Sequence, residues 1–574
     1  MSFDEDRGTH GAARLSQGVR AWVVFWSLLA MASVSLWVLR PVLANGFVHF
    51  DDDIYLTELV RMGSFSWSSL RWMWTSLQPF YLQPIVWMTH LADYRLWGLE
   101  PMGHHATNWL LHGVYVMLVG ALVWLLTGKA GAMRPRERLG MSAVIALVCG
   151  IHPLQVESVA WLAARNGLLC SVWMVAALCA YVRAFDDDSG KRKACWWRTA
   201  VGLHAVALLT KPFAVSLPLV MLGLDFYPLR RTAERSVWRL VCEKWLMIAM
   251  SGAAAVGAIV AQPHLEEIAE SAISARILVA ARGAVFYQWK LVWPAWLSPF
   301  YPLNGPINLR GVEFLVPLLM CIVATVVSVW QRKRAPVLLA TWWCYLALLL
   351  PVSGLVQSGG QAVADRYAYL AMVPVLLALG SGGLWIWRHE RVVKVVLCAV
   401  VGAWLVFLGV RTREQIPVWH DDVTMWGALL SHFPNDPLGN FNLGLAMLRD
   451  GRLAEARVLV ERAVAASDPR ARPLPMARAT LGTIYLKTHA YDQAVEQLRQ
   501  AIAGDGTLWA ARYNLACAYA RLGRLAEAYD ALRELVASRP EYAALAARDG
   551  ELAALRDSPE YAERFAALVG GMKK

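Results

Sequence analysis

The feature that most constrains this chain is a series of long apolar stretches that ends near Val410. A helix needs about 20 mostly apolar residues to cross the hydrocarbon core of a bilayer. The chain is 57% hydrophobic and only 17% charged, and its 28 Trp residues fit the aromatic belts at membrane interfaces. These properties exclude an ordinary soluble enzyme and predict an integral membrane protein with an all-α fold.

The spanning helices are expected to number about 11, since each needs a long apolar stretch. The candidates lie near residues 20–44, 105–127, 139–155, 167–184, 199–212, 213–228, 246–263, 312–330, 336–355, 367–387 and 393–411. The first follows a polar tail, residues 1–20, and is too long for a cleaved signal peptide, so we expect a retained anchor. For the count to close, the segment from Ile277 to Leu297 has to be re-entrant or lie along the interface.

Lys and Arg cluster in short loops, which accounts for most of the basic excess of the membrane region. These loops are "GKAGAMRPRER", "GKRKACWWR", "YPLRRTAERSVWR", "WQRKRAP" and "WRHERVVK". Because such loops stay in the cytoplasm, the N-terminus is predicted to be cytoplasmic. The first loop, residues 45–104, and the region after Val410 are then extracytoplasmic. Nothing in this pattern indicates a nucleic-acid partner, and the nine Cys residues lack the CxxC spacing of a zinc site.

The C-terminal region contains an internal repeat. The segments "NLGLAMLRDGRLAEA", "TLGTIYLKTHAYDQA" and "NLACAYARLGRLAEA" align without gaps and place Gly444, Gly482 and Ala516 in one column. Small residues at a period of about 34 are typical of tetratricopeptide repeats, whose helix pairs stack into a solenoid. Such solenoids bind polypeptides in a concave groove, so we expect recruitment of a protein, with scaffolding in a complex as the alternative.

Five polar clusters fall on the predicted extracytoplasmic face. They are "FDDD" at 50–53, "HPLQVESVAW" at 152–161, "TKPFAV" at 210–215, "HLEEIAE" at 264–270 and "ADRYAY" at 364–369. Ionisable residues at membrane depth are costly unless they face a cavity or a partner. Since independent loops would scatter over both faces, the convergence predicts one site.

Each cluster also has a simpler explanation. The Asp triplet fits a solvated loop or a metal cage as well as a catalytic base, and Lys211 either snorkels to the surface or meets an anionic ligand. Asp365 and Arg366 form a local ion pair or aim the Arg fork at a phosphate. His152, Glu157 and an Asp could together bind a divalent cation, but no tight ligand spacing supports this, so a metal stays unassigned.

Taken together, the clusters combine an acid that can accept a proton with cations that can hold a phosphate. This combination suits transfer from a lipid phosphate, in which a base deprotonates a hydroxyl and positive groups stabilise the departing phosphate. The sequence has no Gly-rich nucleotide-binding fingerprint, which agrees with a lipid-borne donor.

These motifs resemble those of the transmembrane and tetratricopeptide-repeat-containing (TMTC) glycosyltransferases and their bacterial relatives, in the GT-C superfamily. The resemblance covers nearly the whole chain: Phe50, Asp51 and Asp52 followed by Tyr55 match an aromatic-Asp-Asp element, and "HPLQVESVAW" is the most distinctive run. "LLTKPFAVSLPLVMLGLDFYPLRR" and "ADRYAYL" are similar to two further motifs. After Trp161 the chain departs from the pattern: relatives usually show "SERKD", whereas "AARNGLL" keeps Arg165 but lacks the Glu and the final Asp.

The resemblance implies a protein O-glycosyltransferase that uses a polyprenyl-phosphate or polyprenyl-diphosphate sugar. Asp51 or Asp52 would be the general base, with Asp51 favoured because it directly follows Phe50, and Asp53 a solvated neighbour. The remaining candidates divide into donor-phosphate ligands, Arg165, Lys211 and Arg366, and residues that orient the site, His152, Glu157, Asp365 and Tyr367. The repeats would present the acceptor protein.

The predicted organisation is a GT-C-like membrane domain followed by a solenoid. The segments are a cytoplasmic tail 1–20, a catalytic domain 21–411, a linker and leading helix 412–434, repeats 435–540 and a capping helix and tail 541–574. The expected location is the bacterial inner membrane, with the site and the repeats on the periplasmic side. The alternatives are a GT-C transferase that modifies a lipid or glycan, and a non-catalytic scaffold for envelope assembly.

Overall fold

The computed structural model describes residues 4–131, 133–186, 190–261, 273–302, 308–355, 361–388, 391–467 and 473–570. Within these ranges the regular structure is helical and contains no strand, which confirms the predicted all-α class. The chain divides into two compact units, Met1–Asp421 and Asp422–Lys574. They correspond to a membrane region and a repeat region.

The first unit consists of long helices joined by short turns. Its α-helices are Asp4–Leu39, Asp52–Met62, Trp67–Thr75, Pro84–Trp97, Pro101–Ala130, Pro135–Ile151, Val156–Ala160, Arg165–Arg183, Gly190–Leu208, Leu217–Phe226, Val237–Glu243, Trp245–Ala261, Ile273–Val292, Val312–Trp330, Pro336–Leu349, Ala368–Trp387 and Arg391–Gln415. By length and composition, six described helices can cross a membrane, or up to eight if each of two bent pairs is one span. Two shorter apolar helical stretches, Pro212–Phe226 and Pro336–Val352, add to these. The chain is a multi-pass membrane protein, while the count of about 11 spans stays a prediction.

The segment predicted to be re-entrant or to lie along the interface forms a helix, and its path relative to the membrane stays a prediction. Ile273–Val292 is one unbroken helix of 20 residues, long enough to cross the hydrocarbon core. It packs inside the bundle, where Tyr345 donates to the carbonyl of Ala284 at 2.5 Å and the Ala364 amide donates to the Tyr287 hydroxyl at 3.1 Å. Arg276, Arg282 and Lys290 lower its apolar character, and it is not among the described helices that are long and apolar enough to cross a membrane.

Contacts between helix ends define two faces of the first unit. At one end Lys129 donates to the carbonyl of Phe185, and Arg388 pairs with Glu137 at 2.6 Å. Because these residues belong to the basic loops, we call this end the basic-loop face. The polar motifs lie at the other end, here called the site face.

Short turns interrupt the helices at the site face. Pro153–Gln155, Leu162–Ala164, Pro212–Ser216 and Asp365–Tyr367 are 3-10 turns. Each lies within a motif or next to one and leads into a following helix. Irregular backbone at membrane depth is tolerated where it is buried in protein or lines a cavity, so these breaks mark the region in which side chains converge.

The second unit is a stack of antiparallel helix pairs, as the repeat predicted. A leading helix, Asp422–His432, precedes the pairs Pro437–Arg449 with Leu453–Ala466, Pro473–Lys487 with Tyr491–Gly504, and Trp509–Arg521 with Leu525–Ser538. A Cβ atom on Gly444 would lie 2.6 Å from Val460 Cγ2, and one on Gly482 would lie 2.5 Å from Leu498 Cγ. These distances explain the small-residue column, since the paired helices touch there.

The C-terminal segment contains three short helices where one capping helix was expected. They are Tyr542–Ala546, Ala553–Arg556 and Ala562–Gly570. Gly550 and Pro559 fall between them, and both residue types interrupt helices. The segment packs on the last repeat through the Tyr513 hydroxyl, which donates to Asp549 at 2.6 Å.

Candidate functional site

The three acids of the first loop have different environments. Asp51 has a left-handed backbone, with φ of 84°, and caps the N-terminus of helix Asp52–Met62. Asp52 is 1% exposed, whereas Asp53 points to solvent. A positive φ is uncommon for a residue other than Gly, and such strain concentrates at functional sites. The backbone itself therefore distinguishes Asp51 from its neighbours.

Both carboxylate oxygens of Asp52 are occupied by backbone amides. The Val48 N–H donates to Oδ2 at 3.1 Å and the Ala163 N–H donates to Oδ1 at 2.9 Å. Burial raises the pKa of Asp52 to about 8, although the two amides act in the opposite direction. This carboxyl group ties the first loop to the turn that follows Trp161.

Asp51 keeps its carboxylate available. No described side chain or amide donates a hydrogen bond to it, and the residue is partly exposed. Burial raises the pKa of Asp51 to about 6, while the positive charge of Arg366 lowers it and the charge of Asp53 raises it. A carboxyl with a pKa near the working pH and an open acceptor has the properties of a general base.

An aromatic stack lies beside these acids. Phe50 stacks on Trp161 with ring centroids 5.1 Å apart, and Trp161 stacks on Trp419 at 5.7 Å. The guanidinium carbon of Arg366 lies 5.1 Å from the centre of the Trp161 ring. Trp161 thus brings together the first loop, the "ADRYAY" turn and the end of the last helix of this unit.

Glu157 and Arg366 form the central ion pair of the site. The Glu157 carboxylate accepts from the Arg366 backbone amide at 2.8 Å and from its guanidinium. Glu157 is buried, and the Arg366 side chain is 16% exposed. The carboxylate therefore fixes a guanidinium that also lies over the rings of Trp161 and Tyr367.

Asp365 has a different hydrogen-bond partner. It is 3% exposed and accepts a hydrogen bond from the Tyr301 hydroxyl at 2.8 Å. Tyr367 lies beneath the Arg366 guanidinium at 5.0 Å. In the "DRY" turn, Arg366 and Tyr367 contact each other at the site, and Asp365 attaches the turn to Tyr301.

Lys211 adds a second cation on the same side. Its ammonium group donates to Asn166 Oδ1 at 3.0 Å, and a Cβ atom on Gly167 would lie 3.4 Å from Nζ. Among the described residues this amide is the hydrogen-bond partner of the ammonium, which carries three donors. Since Lys211 also interacts electrostatically with Arg366 and Glu157, the two cations share one region.

Arg165 is enclosed rather than directed into the site. It is fully buried, pairs with Asp93 at 2.6 Å, and donates to Asn108 Oδ1 at 2.7 Å and to the His104 carbonyl at 2.8 Å. Its guanidinium holds the helix Pro84–Trp97 and the helix Pro101–Ala130 together behind the first loop.

His152 is likewise held by the backbone. Its Nδ1 accepts from the Leu154 amide at 3.2 Å, so Nε2 carries the proton and donates to the Leu291 carbonyl at 3.0 Å. Both ring nitrogens are used, and the residue joins the motif to helix Ile273–Val292. In the described ranges no three His, Cys, Asp or Glu side chains are grouped to hold a metal ion.

Four of the five predicted polar clusters thus meet at one face. The fifth, at 264–270, lies outside the described residues. Sequence reasoning missed Asn166, Gln83 and Asp93. Gln83 accepts from the Tyr55 hydroxyl at 3.2 Å behind the acid helix, and its isolation in the sequence gave no indication of this contact. Asp93 could have been found as a charged residue in the apolar run "WMTHLADYRLW".

Comparisons with known proteins agree with both units. A tetratricopeptide-repeat family model matches residues 423–472 and 480–543. Mouse protein O-mannosyl-transferase TMTC4 is 24% identical over 494 residues, covering 75% of this chain and 65% of the relative. Human TMTC4 is also 24% identical, over 65% of this chain and 56% of its own length, and fruit-fly Tmtc3 is 28% identical over 20% of this chain.

The chain therefore spans about 65% or less of the length of these relatives. Their similarity extends well beyond the repeats, which occupy only the last quarter of the sequence. The resemblance predicted from the motifs is confirmed: this multi-pass membrane protein with C-terminal tetratricopeptide repeats is similar to the TMTC proteins.

Proposed function

We propose that the protein is a membrane O-glycosyltransferase that transfers a sugar from a polyprenyl-linked donor to Ser or Thr of a protein. The observation that carries this proposal is the open carboxylate of Asp51 near Arg366, which in turn lies near a second cation, Lys211. The three named relatives are protein O-mannosyl-transferases, so mannose is the first sugar to test.

Asp51 takes the base role in this proposal. Its carboxylate accepts the proton of the acceptor hydroxyl, whose oxygen attacks the anomeric carbon of the donor. The bond from that carbon to the phosphate oxygen breaks, and the polyprenyl phosphate leaves with the electron pair. A single displacement inverts the anomeric configuration. Asp52 is unsuited to the same task, because both of its oxygens already accept amide protons.

Arg366 and Lys211 hold the donor phosphate. Fixed donors aimed at developing negative charge stabilise a transition state without reorganisation. Glu157 fixes Arg366 from one side, and Trp161 and Tyr367 support its guanidinium from the rings. Asn166 orients Lys211 by its amide oxygen.

Arg165 and His152 take positioning roles instead of contacting substrate. The Arg165 guanidinium pairs with Asp93 and donates to Asn108 and to the His104 carbonyl. Both ring nitrogens of His152 form hydrogen bonds with backbone groups. Asp365 supports the "DRY" turn through Tyr301. We assign phosphate binding to Arg366 and Lys211 alone.

The repeats recruit the acceptor, and the reaction takes place on the extracytoplasmic side of a cytoplasmic membrane. Support for this orientation comes from the basic loops, which gather at the face opposite the motifs. A polyprenyl donor accords with a site that offers cations and no Gly-rich nucleotide loop.

The decisive experiment compares Asp51→Asn with Asp53→Asn in cells that lack the natural gene. Both variants remove one carboxylate at the start of the same helix, and Asn tolerates the left-handed backbone of position 51. Mass spectrometry of envelope proteins should show hexose on Ser or Thr with the wild type and Asp53→Asn. With Asp51→Asn the modification should fall at least about 100-fold.

Unchanged modification with Asp51→Asn would overturn the base assignment. If the envelope lipids or glycans change while proteins stay unmodified, the acceptor is a lipid or glycan. If Asp51→Asn corrects every defect of the deletion strain, the protein is a scaffold.

A further inference from the structure

An apolar cleft lies inside the first unit, between the site face and the basic-loop face. It has a volume of about 780 Å³ including its open mouth. The walls come from six helices, with Leu126, Met141, Leu224, Cys344, Val373 and Leu377 among the lining residues. Neither the proposed transfer reaction nor the ion pairs of the site use this space.

The Thr and Ser side chains in the wall of the cleft offer no free hydroxyl group. Thr127, Thr341 and Ser381 all line it, and each donates at 2.7 Å to a carbonyl four residues earlier in its own helix. Hydroxyls that bond back to their helix are not available to a ligand. The space therefore fits a hydrocarbon chain better than a sugar or ordered water.

The length of the cleft corresponds to one leaflet of a membrane. Along helix Ala368–Trp387 the lining runs from Leu370 to Ser381, a rise of about 16 Å at 1.5 Å per residue. This is about half of the roughly 30 Å hydrocarbon core. One acyl chain of a phospholipid matches that depth, whereas a long isoprenoid would exceed it.

The end of the cleft at the basic-loop face, which we take as its mouth, lies next to basic residues. Tyr227 and Met133 line the cleft there, and Arg230 and Arg134 follow them closely in the chain. Both arginines are exposed, and Arg230 has a left-handed backbone with its guanidinium 6.0 Å from the Tyr227 ring.

Two acidic groups at this face have basic partners: Glu137 binds Arg388 at 2.6 Å, and Asp186 binds Lys129 at 2.8 Å. Glu137 also accepts from the Arg134 backbone amide at 2.9 Å. Among the described residues, no ion pair involves the side chain of Arg134 or Arg230. Basic pockets between membrane helices on the cytoplasmic side are suited to anionic lipid head groups.

We propose that this cleft binds an anionic glycerophospholipid. One acyl chain occupies the space between the helices, and the phosphate lies between Arg134 and Arg230 at the mouth. The site is separate from the donor site and opens toward the opposite leaflet.

The test uses the full-length protein, delipidated in detergent and titrated with phosphatidylglycerol or phosphatidylcholine. Native mass spectrometry measures bound lipid. Phosphatidylglycerol should bind more tightly, and replacing Arg134 and Arg230 by Gln should weaken it about fivefold for each arginine. Arg239→Gln, an exposed arginine in the basic loop "YPLRRTAERSVWR", is the matched control and should leave binding within about twofold.

A second variant tests whether the acyl chain occupies the cleft. Ala340→Phe fills the cleft and should reduce the binding of both lipids, while the Arg variants reduce only the preference for phosphatidylglycerol. Equal binding of the two lipids by the wild type would overturn the proposal. So would displacement of phosphatidylglycerol by an equimolar polyprenyl phosphate, because the cleft would then belong to the donor.

Discussion

Glu157 accepts two hydrogen bonds from Arg366, one from the backbone amide at 2.8 Å and one from the guanidinium, across 209 positions of the chain. The pair joins the short helix Val156–Ala160 to the turn before helix Ala368–Trp387. Because Glu157 is 2% exposed, the charge of the carboxylate is balanced by this guanidinium and not by water.

Glu157→Gln is therefore expected to disable the site. Loss of one partner from a buried ion pair typically costs about 3–5 kcal/mol, and Arg366 would no longer be fixed. We expect kcat/KM to fall at least about 100-fold and Tm to drop. Glu137→Gln breaks another Glu–Arg pair, at the basic-loop face, where the Arg388 side chain is 43% exposed. That control should change neither quantity appreciably, and similar losses in both variants would contradict a special role for Glu157.

The pKa of Asp51 predicts a pH profile. A general base works as the carboxylate, and burial raises the pKa of Asp51 from 3.8 to about 6. The logarithm of kcat/KM should therefore rise with pH and level off above about pH 6, with activity lost as the carboxylate is protonated below that value. Initial rates between about pH 4.5 and about pH 8 provide the measurement. A flat profile in the wild type, or the same profile in Asp51→Asn, would exclude Asp51 as the titrating group.

Asp52→Asn is expected to lower stability. The side-chain amide has only one oxygen, so either the Val48 or the Ala163 N–H would face an NH₂ group instead of an acceptor. A buried donor left without a partner costs about 1–3 kcal/mol. Thermal unfolding of the purified protein, followed by Trp fluorescence, should show a lower Tm than for Asp53→Asn, whose side chain is exposed. Equal Tm values would mean that the two hydrogen bonds from backbone amides to Asp52 contribute little to stability.

Gly482→Val is expected to disturb the repeat unit. A Cβ atom there would lie 2.5 Å from Leu498 Cγ and 3.3 Å from the Ala494 carbonyl, so the paired helices would have to separate. Overpacking of this kind costs about 1–3 kcal/mol. Hydrogen-exchange mass spectrometry should show faster exchange in the peptides of Pro473–Lys487 and Tyr491–Gly504. Gly427→Val, at a position with nothing within 4 Å of the added Cβ, is the control and should leave these peptides unchanged.

The repeats could be predicted from sequence because their information is local. The columns of Gly444, Gly482 and Ala516 recur at offsets that only a stacked helix pair requires, and the structure shows the contacts behind the first two. The convergence of the polar motifs was also predictable, since every second crossing of the membrane returns the chain to the same side. Charge in the loops and alternation of spans were sufficient for that inference.

The roles of individual residues within the site could not be predicted in the same way. Arg165 and Lys211 both read as isolated cations in apolar sequence, yet Arg165 has a carboxylate partner in Asp93 and Lys211 has a neutral amide. The difference depends on residues more than 40 positions away in each case, so no local pattern records it. The same holds for Lys290 in Ile273–Val292: the sequence does not show that it donates to the carbonyl of Trp296 at 3.2 Å.

The hydrogen bonds that Asp52 accepts from two backbone amides have a consequence for substrate selection. They attach the start of helix Asp52–Met62 to the turn that carries Ala163, so the adjacent Asp51 has little freedom to follow its reaction partner. Because the base is fixed in position, the acceptor hydroxyl has to move to it. Acceptor segments that can unfold locally and extend a Ser or Thr to that point should be modified fastest, and rigid helical or strand positions with the same residues should be passed over.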